Sequence, residues 1–183
     1  MTIIGVDPSI NSTGVCVNEN GKYIYYIICS KMTKKMKSFS NPFIHLIPYN
    51  KDNYQNLDYS DKEYVKTHNF CSICYHLSQI LDKHKPDKIY IEGVSYGSVG
   101  SAALVDLAGL NFMLRQLFVS KGVDFQVVSP TSNKKSFTGN GQADKDVMID
   151  SWRRLDKNIY NIKDIKIDDL ADAFALSCYV EGE

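Results

Sequence analysis

The spacing of apolar residues changes character along the chain. Ile3, Ile4 and Val6 form a nearly continuous apolar run that ends on Asp7, the pattern of a strand buried on both faces. Residues 15–17 continue as a second strand. Asn20-Gly21 is a two-residue hairpin signal, and residues 22–28 read as a third strand, so the chain opens as an antiparallel meander. Over residues 31–62 no period is visible. This stretch carries Lys31, Lys34, Lys35, Lys37, Pro42 and Pro48 and reads as a long irregular insertion, either solvated surface or a substrate contact.

Beyond it the period becomes helical. Phe70, Cys74, Leu77 and Leu81 recur at i, i+4, i+7 and i+11, which predicts an amphipathic helix over residues 64–83. The KIYIE segment, 88–92, is a strand that again ends on an acid, Glu92. A Gly- and Ser-rich loop over 93–101 leads to a helix over 102–120, and a strand over 125–128 stops at Pro130. Residues 131–142 read as a polar loop. A helix over 143–155, with Met148, Trp152 and Leu155 inward, and another over 169–179 complete the pattern. The sum is an α/β chain: a mixed sheet, three-strand antiparallel meander plus parallel strands, flanked by helices in one domain spanning 1–183.

Composition adds little to fold but limits function. Lys and Arg number 21 and Asp and Glu number 21, so no global field advertises a polyanion. Any nucleic-acid contact must come from local patches: Lys31 to Lys37, Lys134, Lys135, Lys145, Arg153 and Arg154. The five cysteines form no framework. Cys71 and Cys74 fall on one helical face and read as buried thiols, with metal or redox use the lesser reading. No leader and no long apolar span is apparent, which implies a reducing cytoplasmic setting and no membrane partner.

The chemistry lies in the acids. Two strands expected to be central end on Asp7 and Glu92, and ligand sites in open α/β sheets form beyond such strand ends. In KIDDLADAFAL, Asp169 and Asp172 are three apart, on one face of a helix start; helix capping is the simpler role for acids there. Clustered carboxylates suit hard cations, Mg²⁺ or Mn²⁺, and two such ions about 4 Å apart can clamp both oxygens of an in-line phosphoryl displacement. Small polar residues after Asp7, Ser12 among them, leave room for a phosphate backbone and make Ser12 a DNA-contact candidate.

Four segments in this order, GVDPSINSTG, IYIEGV, VVSPTSNKKSFTGNGQADKDVM and DDLADAFAL, resemble the motifs of RuvC-type Holliday-junction resolvases of the ribonuclease H-like superfamily. The resemblance implies a metal-dependent endonuclease that binds four-way DNA junctions as a homodimer. It implies paired symmetric nicks leaving 5′-phosphate and 3′-hydroxyl ends. By match, Asp7, Glu92, Asp169 and Asp172 are the metal-binding and catalytic acids, with two ions per site. Lys145 matches a lysine near the chemistry, and Lys134, or Lys135 in a shifted register, a lysine that meets DNA. Tyr96 stands near the position of an aromatic that probes the junction centre. The long interval between Asp7 and Glu92 suggests a phage or viral branch acting in a host cytoplasm. The same acids would serve a broader nuclease of branched DNA, flaps or RNA–DNA hybrids. A non-catalytic branched-DNA binder would not need them.

Overall fold

In the computed structural model, which describes residues 1–53, 55–94, 101–159, 162, 165 and 167–180, six strands form one sheet. They are β1 (Thr2–Asp7), β2 (Ser12–Glu19), β3 (Lys22–Cys29), β4 (Ile44–Pro48), β5 (Lys88–Glu92) and β6 (Asp124–Val128). The order across the sheet is β4-β3-β2-β1-β5-β6. Only β2 runs against the rest: it pairs antiparallel with β1 and β3, while β3–β4, β1–β5 and β5–β6 are parallel. The hairpin after β2 turns at Asn20 and Gly21, both with positive φ, as the Asn-Gly pair predicts.

The insertion is not irregular. It contains α1 (Lys34–Ser38) and β4, and its last residues begin α2 (Tyr59–His84). β4 escapes the sequence pattern because it is a five-residue edge strand, pinched between Pro42 and its own last residue, Pro48, where a missing N–H costs no ladder bond. α3 (Ser101–Ser120) follows β5, and α5 (Lys145–Leu155) and α6 (Asp168–Ser177) complete the chain. The polar loop expected at 131–142 is largely helix, α4 (Pro130–Thr138). Pro130 does not stop a strand there but starts a helix at a position whose N–H is spare, and Ser129 caps it.

Alternation along the strands feeds two cores. On one face Ile4, Val6, Val15, Val17 and Ile28 pack against Phe70, Ile73, Leu77 and Leu81 of α2 and Leu110, Leu114 and Phe118 of α3. On the other, Cys16, Tyr25 and Ile27 pack against Met148 and Trp152 of α5 and Phe174 of α6. Leu155 departs from the expected inward position: it is the last residue of α5 and stands 65% exposed. α3 is long and apolar enough to cross a membrane by length and composition, a feature the sequence reading passed over; its buried stripe sits on the sheet. Cys16 and Cys29 are buried, but Cys71 is exposed and Cys74 half-buried, so the CxxC is not a buried pair.

α6 lies unusually close to the sheet. A Cβ on Gly5 would fall 2.0 Å from the Ala173 carbonyl oxygen, and one on Gly14 would fall 2.2 Å from that of Asp169. Glycine at these two points lets backbone meet backbone. Since Gly14 pairs with Asp7, the contact also fixes how far the helix acids stand from the strand acid.

Candidate active site

Asp7 ends β1 and Glu92 ends β5, and the two strands are adjacent and parallel, so both carboxyls emerge at the same end of the sheet. α6 brings Asp172 to them. Asp7, Glu92 and Asp172 line a cavity of about 520 Å³ together with Pro8, Asn111, Thr131, Lys134 and Lys145. Asp169 is not part of that lining, yet its charge acts on both Asp7 and Asp172. Three of the four acids, Asp7, Glu92 and Asp172, therefore share one cavity, and Asp169 stands near enough for its charge to reach two of them.

Their electrostatics are those of a surplus of negative charge. Burial, then the charges of Glu92, Asp172 and Asp169, hold the Asp7 carboxyl well above the usual carboxylate range. Burial and Asp172 push Glu92 up to about 7, against the opposing pull of Asn133, Asp7 and Lys134. Burial raises Asp172 to about 6, with Lys134 and Lys145 opposing. Asp7 and Glu92 act on each other through their side chains and so titrate as a pair.

Three residues of this site had no signal strong enough to mark them in the sequence. Asn133 on α4, wholly buried, donates its side-chain N–H to Glu92 Oε1 and to the Asp172 carbonyl, both at 3.3 Å. Asn111 on α3 donates to the Glu92 carbonyl at 2.8 Å and so anchors the strand end. Asp168 pairs with Lys145 Nζ at 2.5 Å. Asp168 was readable as a helix cap. The capping position is in fact Ile167, with no side-chain hydrogen bond, and Asp168 is spent on the lysine instead. That bond raises the Lys145 pKa and so keeps it charged beside the acids.

The lysines separate by register. Lys134 lines the cavity, whereas Lys135, about 100° further round α4, is exposed and outside it. Of the two, Lys134 is the lysine that faces the acids. Ser12 starts β2 at the same end of the sheet as Asp7 but does not line the cavity. Tyr96 lies outside the described residues.

The donors fit a hard cation. They are all carboxylate oxygens, their charges repel, and Asp172 Oδ1 is buried without a hydrogen-bond partner. Among the described residues no three His, Cys, Asp or Glu side chains already close on one ion position.

A β-meander followed by parallel strands, with acids at the ends of the first and central strands and on the closing helix, defines a ribonuclease H-like fold. Among solved structures the chain resembles the Thermus thermophilus RuvC in complex with Holliday junction substrate, with TM-score 0.62 and 16% identity, covering 97% of this chain and 90% of that one. It also resembles the yeast mitochondrial Holliday junction resolvase Ydc2, with TM-score 0.55 and 14% identity, covering 96% and 75%. Residues 60–179 match the family model for crossover junction endodeoxyribonuclease RuvC, and the chain belongs to that family. Relatives bearing the same description include those of Brachyspira hyodysenteriae, 23% identical over 97% of this chain and 91% of its own length, and of Campylobacter hominis, 25% identical over 97% and 93%.

Proposed function

We propose that this protein is a metal-dependent endonuclease that resolves four-way DNA junctions by paired symmetric nicks, leaving 5′-phosphate and 3′-hydroxyl ends. The observation that carries the proposal is the acid surplus of Asp7, Glu92, Asp172 and Asp169 at one sheet end, faced across a cavity by Lys134 and Lys145, in a chain of the crossover-junction family. Asp7, Glu92, Asp169 and Asp172 would hold the cations, two Mg²⁺ or Mn²⁺ ions. Bound there, such ions supply a lowered pKa for the attacking water and charge neutralisation for the leaving oxygen. The protein's own groups do the rest. Lys134 and Lys145 attract the scissile phosphate, and Asp168 fixes the direction of Lys145. Asn133 and Asn111 hold Glu92 by side chain and by main chain.

Two symmetric cuts need two sites, and a homodimer supplies them. The exposed face of α3 supports this reading. Val105, Phe112 and Val119 recur at seven-residue intervals and are each at least 65% exposed.

The test is cleavage of end-labelled four-way junction, three-way junction, flap and linear duplex DNA with Mg²⁺, Mn²⁺ or EDTA. Paired nicks in the four-way junction, absent with EDTA and in Asp7→Asn, are expected. Equal cutting of every branched form would replace junction resolution with general debranching. Tight binding without cutting would leave a structural binder.

A further inference from the structure

The insertion alters the charge of the sheet's rim. From Asn20 to Lys51 the sequence has six lysines and no Asp or Glu, in a chain that as a whole carries 21 Lys and Arg against 21 Asp and Glu. One of the six, Lys22, lies at the far end of the sheet, at the hairpin after β2. The others cluster elsewhere. β3 and β4 are parallel to β1, so Cys29 and Pro48 finish at the same end as Asp7. Lys31 leaves β3 at that end and is exposed, and Lys51 follows β4 there. Lys51 Nζ donates to Asn11 Oδ1 at 2.7 Å, and the backbone N–H of Ser30 to the Asn11 carbonyl at 3.0 Å. Asn11 itself lies four residues beyond Asp7. A continuous polar rim thus runs from the acid cluster to the outer edge of the sheet.

The flank below this rim is equally built. A parallel connection must cross back along the sheet, and the β3–β4 crossover does so with α1. Met32, Met36, Phe39 and Phe43 pin it to the core around Trp152, while Lys34 and Lys37 point to solvent. Ordering a short segment in this way costs backbone entropy, and the apolar anchors offset it. The lysines are therefore held by the fold rather than scattered on a mobile loop.

We propose that this rim and flank, Asn11, Lys31, Lys34, Lys37 and Lys51, hold the sugar–phosphate backbone of one duplex arm of DNA as it leaves the acid cluster. The assignment of DNA as occupant rests on the nuclease reading above and on charge complementarity. Two strand spacings separate β1 from β3, about 10 Å, which spans about three nucleotides of one strand. Lys31 thus stands within reach of the same backbone that meets Asp7. β4 widens the sheet by one strand and extends the track outward.

The test is salt-dependent binding of a plain linear duplex and of a four-way junction to the wild type, to the combined variant Lys31→Ala, Lys34→Ala, Lys37→Ala and Lys51→Ala, and to Lys22→Ala. Each lost phosphate contact removes about 0.9 from the slope of log affinity against log salt. The combined variant is expected to lose two to four in slope and on the order of 100-fold in affinity at low salt. Lys22→Ala, from the same acid-free stretch but the opposite end, should bind as wild type. Because Lys51 also bonds Asn11, the triple variant retaining Lys51 serves as a second measurement and should lose two to three in slope. An unchanged slope in both multiple variants, or an equal loss from Lys22→Ala, overturns the proposal. The nuclease reading is scored separately by wild-type cleavage. Loss of duplex affinity with no junction cutting keeps the track and rejects the activity, while junction cutting with unchanged affinity does the reverse.

Discussion

The two ends of the sheet handle charge in opposite ways. At the amino end of β1 every described acid at the sheet has an answering group. Glu19 accepts from His84 Nδ1 at 2.7 Å, and the other ring nitrogen of His84 meets Tyr26 OH at 2.7 Å. Lys83 donates to the same hydroxyl at 3.1 Å. Asp87 accepts from the Thr2 backbone at 2.7 Å, and Asp124 lies 3.9 Å from Lys88. At the carboxyl end, Asp7 is buried with the half-buried Glu92 and Asp172 beside it, and the pKa values of Asp172 and Glu92 rise to about 6 and 7. Satisfied charge ties β2, β3 and α2 into one body. Unsatisfied charge is strain that a ligand relieves, and it marks the working end.

Replacing Asp7 by Asn should have the largest effect. It removes one anionic oxygen donor from the cluster, and junction cleavage should fall by on the order of a thousandfold or more, with junction binding kept, as read by single-turnover kinetics and gel shift. Full cleavage in that variant would erase the distinction between the two ends. Asn133→Ala should reduce the rate by on the order of 10- to 100-fold, as a positioning effect. Since the Asn133 hydrogen bond lowers the Glu92 pKa, its loss should also move the acidic limb of the pH–rate profile upward, a shift that mere loosening of α4 would not give.

Stability should depend on pH through the working end. The raised carboxyls bind protons in the folded chain that the unfolded chain has already released. In EDTA, therefore, stability should fall as pH rises from about 4.5 through about 7, by on the order of 2 kcal/mol, and divalent cation should restore it at pH 8. Thermal melts in both buffers check the sign; a rise in stability over that window would contradict the assigned charge surplus. The smallest effect belongs to the other end. His84→Ala should cost about 1–2 kcal/mol in denaturant unfolding, by unpairing Glu19 and Tyr26, and leave the cleavage rate within about twofold.

Much of this was legible in the chain. An apolar run ending on an acid located β1 and β5, and Asp-x-x-Asp located the face of α6, because strand ends and helix periods are local properties. The β4 edge strand and α4 were not legible. Each begins or ends on a proline that local rules treat as punctuation, and only the sheet edge and the spare helix N–H make proline acceptable there. Asn111 and Asn133 were invisible for another reason. An asparagine on a helix has no pattern of its own, and its partner Glu92 lies 19 and 41 residues away. Likewise nothing local distinguishes Asp168 as the partner of Lys145 from Asp168 as a cap.

The close seat of α6 on Gly5 and Gly14 has a genetic consequence. Asp169 and Asp172 reach the site through main chain pressed on main chain, so their placement tolerates no added carbon beneath it. In a library scored for DNA cleavage, Gly5 should therefore be about as intolerant as Asp7, although it carries no functional group. A survey of sequence variation that looked only for acids and bases would count it as scaffold, when it sets the reach of half the clustered acids.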